Sequence, residues 1–370
     1  VRVSGAFSLI AAIVFCANNQ NMCPDCKRQL GKKRKRSMKA IRIEQHGGPD
    51  VLQLVDIDIP DPAPGEVRLR HTAIGINFSD INVRRGGFYY PEPMKMPLIP
   101  GNEAAGIIEV VGEGVTGFKP GDRVGYAGMH GPFYHFTGAY AEFRNVPADR
   151  LVLLPDGISE QQAAATMLKG MTAASIVQRL YVPKSGDTLL IHAAASGVAV
   201  LLVQWARHLG ARVIGTAGSA EKAAFAKAHG CDDVILYRET DFVSAVKDLT
   251  GGAGVHAVYD GVGKDTFVKS MDCTRPFGSL VNYGNASGHV PPIDLLWCAA
   301  KGSLSVSRPA VSFQISKTED LRANCASFFE FVSSGAIRVE ISKTYKLADA
   351  AQAHRDVEAG KATGSMLLVP

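Results

Sequence analysis

HAAASGVAV, residues 192–200, lies where a short apolar strand gives way to a helical pattern. Upstream, DTLLIH (187–192) is strand-like. Downstream, Val198, Leu201, Leu202, Trp205, Ala206 and Leu209 recur at i, i+3, i+4 and i+7, and Gly210 closes the run. A dinucleotide-binding turn at this place usually carries several glycines; this one has only Gly197. The physical requirement is smallness, which lets a diphosphate approach the backbone and the free N–H groups that open the helix. Ala193, Ala194, Ala195, Ser196, Gly197 and Ala199 all meet it, with Val198 between them. Ser196 is the departure, and two outcomes are open: a strained turn, or a hydroxyl donated to phosphate.

The strand–helix unit repeats. ARVIGT (211–216), DVILY (233–237), VHAVYD (255–260) and SLVNYG (279–284) follow at 22- to 24-residue intervals. That is the spacing of βαβ units, and the apolar, unalternating strands predict a parallel sheet buried on both faces. A sheet that holds NAD ends its second strand with a carboxylate for the ribose diol. Here that end reads Gly215-Thr216-Ala217-Gly218-Ser219, with Glu221 only later. Lys222 and the pair Tyr237-Arg238 instead suit a 2′-phosphate, so NADPH is the expected cofactor. Residues 38–160 read differently, as short alternating strands with many Gly and Pro turns, and predict a compact antiparallel, barrel-like domain. The fold class is therefore α/β plus β.

The 370 residues allow two domains. The net charge of +5 does not imply a nucleic-acid partner, because seven of the 40 basic residues fall between Lys27 and Arg36. Residues 1–37 contain a twelve-residue apolar run, Ala6–Ala17, too short to span a bilayer, followed by KKRKR; they are read as an extension outside the fold. Cys23 and Cys26 form a lone CxxC without further zinc ligands nearby, and the unpaired Cys231, Cys273, Cys298 and Cys325 suit reduced thiols in the cytoplasm.

The order GPDVLQLVDIDIP, GINFSDINVRRGGFY, PGNEAAGIIEVVGEGVTGFKPGDRV, AYAEF, AAATMLKGMTA, GDTLLIHAAASGVAVLLVQWAR and VYDGVG resembles the zinc-independent quinone oxidoreductases of the medium-chain dehydrogenase/reductase superfamily, from Met38 to Pro370. The resemblance implies a GroES-like catalytic domain (38–160), a Rossmann NADP-binding domain (161–305), a C-terminal return to the catalytic domain (306–370) and a homodimer paired at the nucleotide domain's edge, through SLVNYG or the segment 304–311. The superfamily's zinc enzymes place a Cys after the GI turn and a His before a Glu; here the two stretches read Gly75-Ile-Asn77-Phe-Ser-Asp80 and Gly101-Asn102-Glu103, without either ligand. No metal is expected. By the same resemblance Asn77 lies near nicotinamide and substrate, with Asp80 ordering its turn. Lys169 and Thr172 approach ribose and phosphates. Gly261, Val262, Gly263, Tyr283, Gly284 and Asn285 line the nicotinamide half by backbone, Arg308 meets phosphate or substrate, and Lys361 reaches the cofactor's phosphate from the tail. Gly215, Thr216 and Ser219 complete the cofactor strand end. Asn82, Phe88, Tyr89, Tyr126 and Met129 are candidates for the substrate wall, with Phe133, and the insert 129–138 for a lid; His130 and His135 within it receive no role. The implied substrate is a small quinone, with an enone or alkenal as the alternative and a non-catalytic NADPH-binding protein as the third reading. The proton is expected from water or a ribose hydroxyl, unless a one-electron route makes it unnecessary.

Overall fold

The computed structural model describes residues 36–86, 94–128 and 138–370. The alternating first half forms strands β1 (Arg36–Arg42), β2 (Gln53–Ile59), β3 (Glu66–Gly75), β4 (Glu103–Val111), β5 (Arg123–Ala127), β6 (Phe143–Pro147) and β7 (Val152–Leu153). The repeating second half forms β8 (Thr188–Ile191), β9 (Arg212–Ala217), β10 (Asp233–Leu236), β11 (Val255–Asp260), β12 (Thr274–Asn282) and β13 (Ser305–Ser307). Two last strands, β14 (Ile341–Lys346) and β15 (Ser365–Val369), return to the first sheet, where β15 pairs antiparallel with β3. The longer helices are α1 (Phe78–Arg85), α2 (Glu160–Ser175), α3 (Gly197–His208), α4 (Ala220–Ala228), α5 (Phe242–Leu249), α6 (Thr318–Ser333) and α7 (Ala350–Glu358).

The second sheet has the order β10-β9-β8-β11-β12-β13, parallel throughout. The chain winds outward from β8 to β10, then restarts at β11 on the other side of β8. That reversal leaves a crevice at the carboxyl ends of β8 and β11, because the two connections leave on opposite faces. Leu189, Leu190, Ile191, Ala257, Val258 and Tyr259 are all buried, as strands covered on both faces require.

Helix α2 joins the halves. A capping box opens it: Gln162 N–H donates to Ser159 Oγ (3.1 Å), and Ser159 N–H donates back to Gln162 Oε1 (3.0 Å). Its small residues Ala163, Ala164, Ala165, Gly170, Ala173 and Ala174 let it press against the first sheet, α3 and α6 at once. A Cβ on Gly170 would lie 2.9 Å from the Phe328 ring. One apolar core therefore runs from Ala73 and Ala105 of the first sheet through α2 to Trp205 of α3 and Phe328 of α6. Among the described residues no helix is long and apolar enough to cross a membrane.

Candidate functional site

A cavity of about 1110 Å³ opens between the domains, over the carboxyl ends of β8 and β11. Its floor is the loop that follows β8. Ala193 takes φ +51, the left-handed region that disfavours a Cβ. The loop is clamped there: Ala193 N–H donates to Thr216 Oγ1 (3.1 Å), Ala194 N–H to the Thr216 carbonyl (2.9 Å), and Ser196 N–H to the Ala193 carbonyl (2.8 Å). Ser196 itself is extended (φ −81, ψ 164) and its side chain makes no capping hydrogen bond. The strain therefore sits at Ala193, not at Ser196. Ser196, Gly197 and Val198 face the cavity. Ala195 is buried behind them, its carbonyl taken by Gly364 N–H (2.8 Å).

Thr216 is held by a neighbour that the sequence did not single out. His192 Nε2 lies 2.9 Å from Ser270 Oγ, whose own hydroxyl is given to the Thr266 carbonyl. The imidazole must therefore donate from Nε2 and accept at Nδ1 from Thr216 Oγ1 (3.2 Å). Burial lowers the His192 pKa and favours this neutral form.

Beyond β9, the ring of Tyr237 lies over Gly218, whose missing Cβ would sit 2.9 Å from its hydroxyl. Lys222 and Tyr237 line this end of the cavity. The Lys222 ammonium donates to the Gly360 carbonyl; burial, then the nearby Arg238, lower its pKa. Arg238 stacks on Tyr237, 6.0 Å from the ring centre. Ser219 is an N-cap, accepting from Lys222 N–H, and does not line the cavity.

At the opposite end, Asp260 closes the turn after β11: Val262 N–H and Gly263 N–H donate to its Oδ1 (2.7 and 3.0 Å). Gly261 and Val262 reach the cavity; Gly263 turns under it at φ +92. Tyr283, Gly284 and Asn285 form the facing edge. The Arg308 guanidinium straps that edge by donating to Asn282 Oδ1, the Gly284 carbonyl (3.0 Å) and Asn285 Oδ1 (3.2 Å).

The first domain supplies the other wall. Asn77 and Asn82 line it, continued by Lys169 and Thr172 of the joining helix α2. Asp80 lies behind, fully buried, accepting from Asn77 N–H (2.8 Å), Asn102 Nδ2 (2.6 Å) and the Tyr140 hydroxyl (3.3 Å). Burial raises its pKa to about 7. The stretches that lack zinc ligands thus close on each other through the Asn102–Asp80 bond. From Tyr140 the chain of bonds continues to His354 Nε2 (2.9 Å) and then to Arg84, which pairs with Glu358.

Several expected positions lie elsewhere. Tyr126 is buried in the barrel core with its hydroxyl 3.1 Å from His71 Nε2, because its strand turns that side chain inward. Lys361 Nζ pairs with Asp356 Oδ1 (3.0 Å), away from the cavity. Gly215 makes room for Ala194 Cβ and Cys231 Sγ, each 2.8 Å from where its Cβ would sit, so it supports the loop from below. Phe88, Tyr89, Met129, His130, Phe133 and His135 fall outside the described residues.

Fold and crevice define the class: a two-domain dehydrogenase/reductase with a GroES-like domain and a Rossmann domain. Residues 63–156 match the model of the alcohol dehydrogenase GroES-like domain, and residues 197–320 that of the zinc-binding dehydrogenases. The chain is 44% identical over 332 residues to a quinone oxidoreductase of Pseudomonas aeruginosa, covering 90% of this chain and 99% of the relative. It is 40% identical over 334 residues to a 2-haloacrylate reductase of Burkholderia, covering 89% and 98%. The crystal structure of Escherichia coli quinone oxidoreductase complexed with NADPH superposes with a TM-score of 0.84 at 42% identity, covering 90% of this chain and all of that one. The chain belongs to the quinone oxidoreductase family of the medium-chain dehydrogenase/reductase superfamily.

Two predictions concern the stability of this site. Ala193→Gly removes the left-handed strain, of roughly 1–2 kcal/mol, and offsets part of it by chain entropy. The expected net gain is up to about 1 kcal/mol, read as a higher midpoint in urea. For pH, burial holds His71 at about 4 and His354 at about 3. Below the unfolded value near 6.5 the unfolded chain takes up protons that these groups refuse, so their stabilisation, complete above that value, is lost as pH falls. His192 acts in the same direction. Asp80 opposes: its raised pKa means that its penalty appears as pH rises from about 4 to about 7. The large shifts of His71 and His354 outweigh that of Asp80, which gives a net loss from pH 7 to pH 5. His354→Gln should recover about 2 kcal/mol of that loss, measured by urea melts at both pH values.

Proposed function

We propose that this protein is an NADPH-dependent quinone reductase that works without a metal. The observation that carries the reading is the small-residue loop 193–197 at the N-terminus of α3, in the crevice where strand order reverses, with Lys222 and Tyr237 at one end of the same cavity. The NADPH-complexed relative supports it. The site fits the cofactor on its own terms: the helix start lacks a side-chain cap, and Ser196, Gly197 and Val198 face the cavity.

In this reading the first N–H groups of α3 bind the pyrophosphate, and Lys222 with Tyr237 binds the 2′-phosphate. Asn77, Lys169 and Thr172 face the nicotinamide half from one wall; the backbones of 261–262 and 283–285 face it from the other. Thr172 gives its hydroxyl to the Leu168 carbonyl (2.9 Å), so it offers a lone pair. Arg308 shapes the 282–285 edge. The bound cofactor supplies a hydride. A quinone accepts it with little help, because its ring stabilises the reduced oxygens, and water entering the open cavity supplies the proton. A second substrate class, activated alkenes, is favoured by the 40% identity to a 2-haloacrylate reductase. The reaction is assigned to the cytoplasm, given the scattered thiols.

We also assign a homodimer. β13 is the edge of the parallel sheet, and Phe277, Leu295, Leu296, Trp297, Val306 and Phe313 are exposed on β13 and the segments flanking it. Such a patch suits a self-complementary interface.

Titration of residues 36–370 with NADPH and NADH, followed by cofactor fluorescence, tests the reading; tight NADPH and weak NADH binding is expected, and binding of neither would sink it. Lys222→Ala should weaken NADPH roughly 10- to 100-fold and leave NADH unchanged. Turnover of a benzoquinone against a 2-chloroacrylate separates the two substrate classes. Val306→Lys should shift the sedimentation coefficient from dimer to monomer.

A further inference from the structure

Glu103, the first residue of β4, has no role in the reading above, yet its side chain is wholly buried at the junction of the domains. Its carboxylate accepts three donors. Oε1 takes Asn77 Nδ2 (2.8 Å) and Lys169 Nζ (2.7 Å), and Oε2 takes Leu168 N–H (2.5 Å). Asn77 comes from the loop that opens α1, Lys169 and Leu168 from the middle of α2. Both side-chain donors line the cavity; the carboxylate lies behind them.

The packing is built around this group. A Cβ on Gly75 would sit 2.3 Å from Glu103 Oε1 and 2.3 Å from the Ala164 carbonyl, so only glycine admits the carboxylate here. The stem of Lys169 then crosses to the nucleotide domain. A Cβ on Gly197 would sit 2.9 Å from Lys169 Cδ and 3.0 Å from its Cε. The stem thus passes close to the first residue of α3, and the ammonium at its end is held by Glu103. An ion pair this buried is a weak source of net stability, because desolvation consumes most of the attraction. It does fix where a charge stands.

We propose that Glu103 is a positioning residue of the cofactor site: it holds the Asn77 amide and the Lys169 ammonium at set points on the cavity wall, so that both meet the nicotinamide half of the dinucleotide without reorganising. The inference rests on the NADPH-dependent reading. Glutamine cannot replace the carboxylate. Whichever way its amide turns, an N–H meets either Leu168 N–H or the pair Asn77 and Lys169.

The test is a double-mutant cycle on wild type, Glu103→Gln, Lys169→Met and the double variant. It reads the NADPH dissociation constant by fluorescence, and kcat and KM for a simple benzoquinone. Glu103→Gln should weaken NADPH roughly 10-fold and lower kcat, with KM for the quinone unchanged. In the Lys169→Met background the same substitution should cost less than about 3-fold, because no ammonium remains to be placed. Glu103→Asp, which keeps the charge but shortens the reach, should fall between wild type and Glu103→Gln, and it replaces the Gln variant in the cycle if that protein does not fold. Multiplying single effects, or a Glu103 variant that binds and turns over like wild type, overturns the positioning role and leaves the reductase reading standing. A wild type that binds no dinucleotide removes both.

Discussion

The reversal of strand order between β8 and β11 is the constraint on which the rest of the molecule depends. Neighbouring parallel strands whose connections leave on opposite faces cannot close the gap at their carboxyl ends. The gap is lined by backbone from both sides: the 193–197 turn after β8 and the 261–263 turn after β11. Each turn is held by a polar side chain of the sheet, Thr216 for the first and Asp260 for the second. The backbone N–H groups are therefore arranged before any ligand arrives. What the sheet does not provide is a lid, and the first domain supplies that wall through α1 and α2.

Bringing the two domains together places charge in the interior. Glu103, Lys169, Asp80 and Arg84 are all buried, and each would be costly alone. They are tolerated because their bonds are shared. Asp80 accepts three donors and Glu103 another three, while Arg84 is spent on Glu358, His354 and the Gly47 carbonyl. A polar network in which each buried charge is bonded favours one arrangement, because displacement leaves a buried charge unpaired. The rigidity falls on α1, whose first turn carries Asn77 to the cavity.

The repeating half was legible because its signal is periodic. Each of the five expected strands has its counterpart in β8 to β12, shifted by a residue or two at most ends; β12 begins five residues early, at Thr274. The barrel strands were legible as alternation, but which face turns inward was not. Tyr126 shows why: it stood as an aromatic candidate for the substrate wall, and the pleat turns it into the core beside His71. Lys361 was displaced for a different reason, since Asp356 one turn back on α7 competes for its charge. Glu103 and His192 carry no local motif. Lys169 and Thr216, their partners, are 66 and 24 residues away, and only the folded chain brings them together. The one available hint was the carboxylate that follows Asn102 where the zinc enzymes keep theirs.

The glycine count of the loop was the wrong measure of its competence. The turn needs a left-handed residue, and Ala193 provides it because Thr216 accepts from one N–H and its carbonyl from the next. Glycine is kept at the first position of α3, where a Cβ would lie 2.9 Å from Lys169 Cδ and 3.2 Å from the Gly364 carbonyl. Ala199, in the following turn, is fully buried and small enough for α3 to lie against the sheet. The departures from glycine are tolerated for local reasons: Ser196 sits in extended backbone that any residue adopts, and Ala199 adds only a buried methyl group. The glycine that remains packs against the Lys169 stem of α2. The loop is therefore read correctly only together with α2, the joining helix whose Lys169 runs beside its one glycine and ends on Glu103 of the first domain.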